Sequence, residues 1–226
     1  SPKHPEGEPL TLKLAADTFV VVIQFGAIAA VAYLYWRQIR TMALGLVGKS
    51  PAGFVMARNL LIAFIPAAVL GLLLNAWIES LFSVAAVVTA QVSGALLMLL
   101  AEGWRKKQTT GRTEREISEI SGPEAFGVGC LQCLALWPGM SRSMTTIVGG
   151  YFIGLNPKRS AEFSFLLGLV TLTAATVYKS YKSGAAMLQV FGWPHILLGC
   201  LVAAVTAVAA VRFLVNYLAS HGLTGF

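Results

Sequence analysis

The sequence predicts an all-α, polytopic membrane protein, and three observations predict it. Of 226 residues, 56% are hydrophobic and only 12% charged, with a mean hydropathy of +0.71. A soluble domain carries about 25% charged residues. The apolar residues fall in long runs of about 20, the length a helix needs to cross a bilayer. Within those runs polar and apolar residues do not alternate, which argues for helices over barrel strands. The expected architecture is a single integral domain over 1–226, with about five full transmembrane helices and one re-entrant helical hairpin.

Residues 1–16 are polar and Pro-rich, and read as a loop. The first span is expected over 17–36, with Tyr35 and Trp36 at an interface. The following stretch to Arg58 carries Arg37, Arg40 and Lys49 and no acid, which places it as a cytoplasmic loop by the positive-inside rule. The second span, 59–77, contains Pro66, and membrane helices tolerate such a kink. The third covers 81–101. Residues 102–124 form a long hydrophilic loop with five basic residues and five acids. Lysine and arginine, not net charge, set orientation, so this loop is cytoplasmic too. The hairpin follows over 125–155, then spans at 160–178 and 195–218 separated by a loop from Lys179 to Pro194. Ser1 is not Met, and no signal peptide pattern precedes the first span, so the expectation is a fragment or a trimmed product.

The net charge of +7 raises the question of nucleic acid. No basic stripe with interleaved aromatics exists, and the basic residues lie between apolar runs, so nucleic acid is not an expected partner. Cys130-x-x-Cys133 has redox or zinc spacing but lacks nearby His or further Cys partners, so both read as small core residues.

The hairpin carries the chemistry. An apolar run from Ala125 to Trp137 precedes Pro138-Gly139, and a second runs from Ile147 to Leu155. Neither reaches the roughly 20 residues that span a bilayer. Between them lies Pro138-Gly-Met-Ser-Arg-Ser-Met-Thr-Thr146, a helix break followed by hydroxyls around one arginine. An intramembrane charge is costly and usually functional. Ser141 is suited to cap the second half-helix, whose first N–H groups and dipole favour an anion. Arg142 adds a planar fork of donors that matches phosphate oxygens. Phosphate or diphosphate is the natural ligand.

Bland readings exist for the same residues. Ser and Thr in membrane helices often bond the preceding turn, and Arg can snorkel to an interface. Five such residues after a break in a hairpin too short to span favour the ligand. For Gln132, on the first half-helix, structural and functional readings stand level. Gly149-Gly150 reads as close helix packing, and Glu162 as an interfacial acid near a helix start.

The motif Pro138-Gly139-x-Ser141-Arg142-Ser143-x-x-Thr146 resembles the second motif of the undecaprenyl-diphosphate phosphatase family, the bacitracin-resistance membrane phosphatases. Gly129 to Trp137, Val22 to Ala27, Tyr35 to Arg37 and Ala161 to Leu167 are similar to the family as well. The resemblance implies removal of one phosphate from a C55 isoprenoid diphosphate lipid, which recycles the carrier for peptidoglycan synthesis. It implies an inverted-repeat fold in the bacterial inner (plasma) membrane and a site open to the periplasmic side; whether the chain pairs as a homodimer stays open at this point. Catalytic candidates are Arg142, Ser141 and Thr146. Phosphate-binding candidates are Gly139, Ser141, Arg142, Ser143, Thr145 and Gln132.

The family's first motif, a glutamate-rich stretch ending in Ser-Ser-Thr-Gly-His, is absent from the chain, as is its last helix. By the resemblance, that motif would hold a divalent cation, Mg2+ or Ca2+, so no metal ligand is expected among these residues. Ser141 stands as either phosphate clamp or nucleophile. Two other functions compete with the phosphatase: a lipid-phosphate or anion translocator, which also uses re-entrant hairpins, and an inactive truncated paralogue.

Overall fold

Apolar runs without alternation become helices throughout. The computed structural model describes residues 19–108 and 115–223, and among these no strand occurs. The N-terminal loop, the start of the first span and Arg112 lie outside the described residues. The helices are α1 (Gln24–Leu34), α2 (Trp36–Leu46), α3 (Pro51–Leu73), α4 (Asn75–Ser80), α5 (Val84–Gln108), α6 (Gly122–Gln132), α7 (Arg142–Phe152) and α8 (Pro157–His221). Four segments are long and apolar enough to cross a membrane: Pro51–Leu73, Val84–Lys107, Pro157–Tyr178 and Gly192–His221. A fifth is added if Phe19–Leu34 and Trp36–Leu46 form one broken span. The protein is therefore an all-α, multi-pass membrane protein.

The chain divides into two units, one of Ser1–Trp36 with Leu169–Arg212, the other of Arg37–Gly168 with Phe213–Phe226. In the first, Val22 and Ile196 are buried together beside Phe19 and Cys200. Gly26 faces the Cys200 backbone so closely that any side chain there would collide with it.

The second unit holds the hairpin. Ser50 caps α3 by accepting from the Gly53 amide at 3.1 Å, and Pro51 fills the first helical position, where its missing N–H costs nothing. Buried Asn59 on α3 donates to the Ile120 carbonyl just before α6. Short helices α6 and α7 then pack on each other, α6 also against α3 and α7 against α5. The core of this unit gathers Met144, Ile147, Val148 and Tyr151 of α7 with Ala101, Ala161, Leu218 and Leu223.

Three expected loops are helical instead. The stretch after Trp36 forms α2, and α3 begins at Pro51, so Arg37, Arg40 and Arg58 lie on helices. The reason is visible in the spacing of Trp36, Ile39, Met42 and Leu46, a helical period hidden under the basic residues. The polar segment from Glu102 to Gln108 continues α5. An ion pair between Glu102 and Arg105 one turn on supports it, and Arg105, Lys106 and Lys107 suit the negative end of the helix dipole. The expected loop from Lys179 to Pro194 is also helical, interrupted only at Gly192, where φ is 65°. Glycine adopts that conformation without a steric penalty, and Pro194 then opens the following helix.

Candidate anion-binding site at the hairpin tip

Each arm of the hairpin is an 11-residue helix. At 1.5 Å per residue each is about 16 Å long, roughly half a hydrocarbon core. The base of the hairpin is clamped by Arg115. Its Nη1 and Nη2 donate to the two Glu124 carboxylate oxygens at 2.7 Å each, and Nη1 also donates to the Ile153 carbonyl at 2.6 Å. One guanidinium thus ties the start of α6 to the end of α7. Glu124 also accepts from the Ser121 amide and hydroxyl, at 2.8 and 2.7 Å. The Arg115 hydrogen bonds, aided by those from Ser121, hold the Glu124 carboxyl down at about 2.

The first arm ends in a 3-10 turn, Cys133–Leu136, and the chain reverses at Pro138-Gly139. Gly139 has φ 95°, and a Cβ there would lie 2.7 Å from the Val87 carbonyl oxygen of α5. Only glycine satisfies both the turn and that approach. Its role in the turn is to bring the backbone onto α5.

Ser141 is the N-cap of α7. Its Oγ accepts from the Met144 amide at 3.3 Å, while the Thr145 amide bonds the Ser141 carbonyl. The amides of Arg142 and Ser143, the first two of the helix, have no intrahelical carbonyl to bond. The Ser141 hydroxyl proton is likewise not spent by the cap. Among the described residues, Nη1 of Arg142, the first residue of α7, is buried without a hydrogen-bond partner, and Arg142 joins no ion pair. From Gln132 to Thr146 the chain has no acid. A buried cationic donor without a partner is expensive, and protein structures rarely leave one that way unless a ligand takes it up. Gln132 is also buried, with both amide atoms unpartnered.

The threonines behave differently. Thr145 Oγ1 donates to the Arg142 carbonyl at 2.8 Å, and Thr146 Oγ1 lies 3.0 and 3.1 Å from the Arg142 and Ser143 carbonyls. Both residues are buried. Thr145 thus bonds its own turn, and the Thr146 hydroxyl is shared between that turn and Ser164 of α8. Ser143 is half-buried, and its carbonyl accepts from Ser164 of α8 at 3.3 Å.

Sequence reasoning missed the wall behind Arg142. Along α8, Ser160, Ser164 and Gly168 recur every four residues and face Gly150, Thr146 and Arg142 of α7, which recur at the same interval. A Cβ on Gly150 would come within 2.6 Å of Ser160 Oγ. Thr146 Oγ1 is 2.6 Å from Ser164 Oγ. A Cβ on Gly168 would be 2.9 Å from Nη1 and 3.0 Å from Nη2 of Arg142. Small residues at four-residue spacing are the signal that marks close helix approach in membranes, and it was present in the sequence. Glu162, expected at an interface, is buried and paired with Arg159 at 2.8 Å and with Gln38. Cys130, expected in the core, is exposed, because it lies on the face of α6 away from Ala125, Val128 and Gly129.

The donor set at the tip does not fit a divalent cation, since it consists of a guanidinium, amides and hydroxyl protons. Among the described residues no three His, Cys, Asp or Glu side chains come together.

The fold is that of a polytopic helical membrane protein whose re-entrant hairpin carries a cationic, acid-free half-helix start. The chain belongs to the bacitracin resistance protein BacA family, whose model matches residues 8–226. It is 42% identical over 211 residues to undecaprenyl-diphosphatase 2 of Rhodospirillum rubrum, covering 93% of this chain and 75% of the relative. It is 38% identical to the undecaprenyl-diphosphatase of Sorangium cellulosum, covering 94% and 69%. With that of Pseudomonas fluorescens the identity is 41%, covering 93% and 75%.

Proposed function

We propose that the hairpin tip is the phosphate clamp of an undecaprenyl-diphosphatase, with Arg142 as its central donor. The protein is a membrane hydrolase that cleaves undecaprenyl diphosphate to undecaprenyl phosphate and inorganic phosphate, the activity that underlies bacitracin resistance. Its membership of the family and the names of its relatives support this reading. The observation that carries the clamp is the buried, unpartnered Nη1 of Arg142 at the start of α7.

Hydrolysis of the anhydride breaks one P–O bond, and charge develops on the transferred phosphoryl group and on the departing lipid monophosphate. Catalysis of such a step rests on positioning and on donors aimed at that charge. Arg142 offers a planar fork to two oxygens, and the amides of Arg142 and Ser143 add donors along the helix dipole. Ser141 offers its proton to a third oxygen while its lone pair holds the cap. A serine with no base beside it is a weak nucleophile, which supports the clamp role. Buried Gln132 on the first arm has two further amide atoms without a partner among the described residues.

The resemblance adds a divalent cation, Mg2+ or Ca2+, held by residues other than those at this tip. It also adds a periplasmic opening in the bacterial inner membrane. The basic residues on α2, at the end of α5 and at the start of α8 support a cytoplasmic face for the hairpin base.

The test is release of inorganic phosphate from undecaprenyl diphosphate by the purified protein, with and without chelator. One phosphate per lipid supports the phosphatase, and loss of turnover with chelator supports the cation. Lipid movement across a vesicle without phosphate release would overturn the assignment in favour of a translocator.

A further inference from the structure

At the base of the hairpin, away from the anion site at its tip, lies a polar cavity of about 250 Å3. α2, the turn before α6 and the start of α8 enclose it. Glu116, on its wall, follows Arg115, the residue that clamps the hairpin base. No step of the hydrolysis uses this cavity. Met56 and Arg159 also line it, and they stand in the first two turns of Pro51–Leu73 and Pro157–Tyr178, two segments fit to cross a membrane. The cavity therefore lies at the depth where a bilayer holds its headgroups.

Its charges divide into an inner pair and an outer pair. Buried Glu162 accepts from Arg159 Nη1 at 2.8 Å and from Gln38 Nε2, so its charge is met inside the protein. Arg159 Nη2 reaches Glu116, whose side chain remains 49% exposed. Arg37 is exposed, and among the described residues it joins no ion pair. Once Arg159 and Glu162 offset each other, one cation and one anion remain at the rim, Arg37 and Glu116. The Thr41 hydroxyl gives its proton to the Arg37 carbonyl at 2.9 Å, which leaves its oxygen free to accept. Ser118 adds a second hydroxyl.

We propose that this cavity binds the headgroup of a phospholipid that joins a phosphodiester to a primary ammonium. The phosphodiester meets Arg37, and the ammonium meets Glu116 and the oxygens of Thr41 and Ser118. Basic pockets at the cytoplasmic ends of membrane helices are established places for lipid headgroups. The carboxylate decides which headgroup. A net anionic one leaves Glu116 without a partner and is repelled by it. A choline headgroup has no N–H to give, and among the described residues lining the cavity there is no aromatic ring to hold a quaternary ammonium. Each exposed ion pair contributes little alone, and two acting together give an expected preference of about tenfold. A headgroup held here links α2 to the turn that carries Arg115, and so braces the hairpin base.

The test is binding of lipids with matched acyl chains to the full chain in detergent, read by thermal melting and native mass spectrometry. Phosphatidylethanolamine should raise the melting temperature and bind about tenfold tighter than phosphatidylcholine or phosphatidylglycerol. Arg37→Gln, an exposed change with no ion pair to lose, should melt as the wild type does without lipid and lose that preference. Glu116→Gln, on the other side of the cavity, should reduce it as well. Arg142→Ala should keep it, because the hairpin tip is a different site.

Equal binding of the ethanolamine and choline lipids, tighter binding of phosphatidylglycerol, or an unchanged preference in both rim variants would overturn the proposal. Loss of the preference in Arg142→Ala would do so too, by placing the headgroup at the tip. Phosphoethanolamine without acyl chains is the last arm. Binding at least about tenfold weaker than that of the lipid supports a membrane source, and equal binding would contradict it.

Discussion

Gly168 and Arg142 are in contact across two helices: a methyl group on Gly168 would lie 2.9 Å from Nη1 and 3.3 Å from Cζ of the arginine. The collision falls on the far end of a flexible side chain, not on backbone. Gly168→Ala therefore displaces the guanidinium at little cost to the fold. Misplacing a catalytic group by about 1 Å can cost a hundredfold. The expected outcome is a fall in kcat/KM of about ten- to a hundredfold with the melting temperature unchanged. Equal turnover would mean that Arg142 is not held in a working position by α8.

Thr146 and Ser164 test the same wall from the stability side. Their hydroxyls are 2.6 Å apart and both residues are buried. Thr146→Val removes this 2.6 Å contact and leaves Ser164 the Ser143 carbonyl at 3.3 Å, at a cost of about 1 kcal/mol. Thermal melting should fall clearly, while phosphate release per folded molecule falls much less than in Arg142 variants. The reverse pattern would return Thr146 to the list of groups that touch substrate.

Ser141→Ala separates clamp from nucleophile. Loss of the cap costs about 1 kcal/mol, and loss of one donor to the developing charge costs about a hundredfold in kcat. Residual turnover well above background is the expected result in single-turnover kinetics. Complete loss in a folded protein would make Ser141 the attacking group.

The hairpin base has its own pH signature. Glu124 titrates at about 2 in the folded protein because Arg115 and Ser121 hydrogen-bond its charged form. A carboxyl lowered in this way stabilises the fold fully above its unfolded value of about 4.3, and loses that contribution as pH falls towards 2. Melting followed from pH 6 to pH 2.5 should therefore show a steeper acid loss in the wild type than in Glu124→Gln. Parallel curves would show that the Arg115 clamp does not hold the hairpin base.

How much of this was legible in the residues differs by feature. The turn and its arginine were, because a Pro-Gly break between two runs too short to span marks a re-entrant hairpin with a charge at its tip. The loops at 37–58, 102–108 and 179–194 were misread for one physical reason. The ends of the apolar runs were taken as the ends of helices, but the helices continue beyond them. The hydrogen bonds of Thr145 and Thr146 to their own turn were not legible, because composition does not show which backbone carbonyl a side chain reaches. Gly168 escaped notice because a glycine on a neighbouring helix gains its meaning only from the guanidinium packed against it.

The central claim is that Arg142 is the phosphate donor of this membrane phosphatase, and the most direct measurement is phosphate release from undecaprenyl diphosphate by Arg142→Ala. Among the described residues Nη1 of Arg142 has no hydrogen-bond partner to lose, so truncation should leave melting and detergent behaviour intact. The account predicts that turnover falls about a thousandfold or more, with Arg142→Lys restoring only part of it. Near-wild-type turnover by a folded Arg142→Ala protein would contradict it.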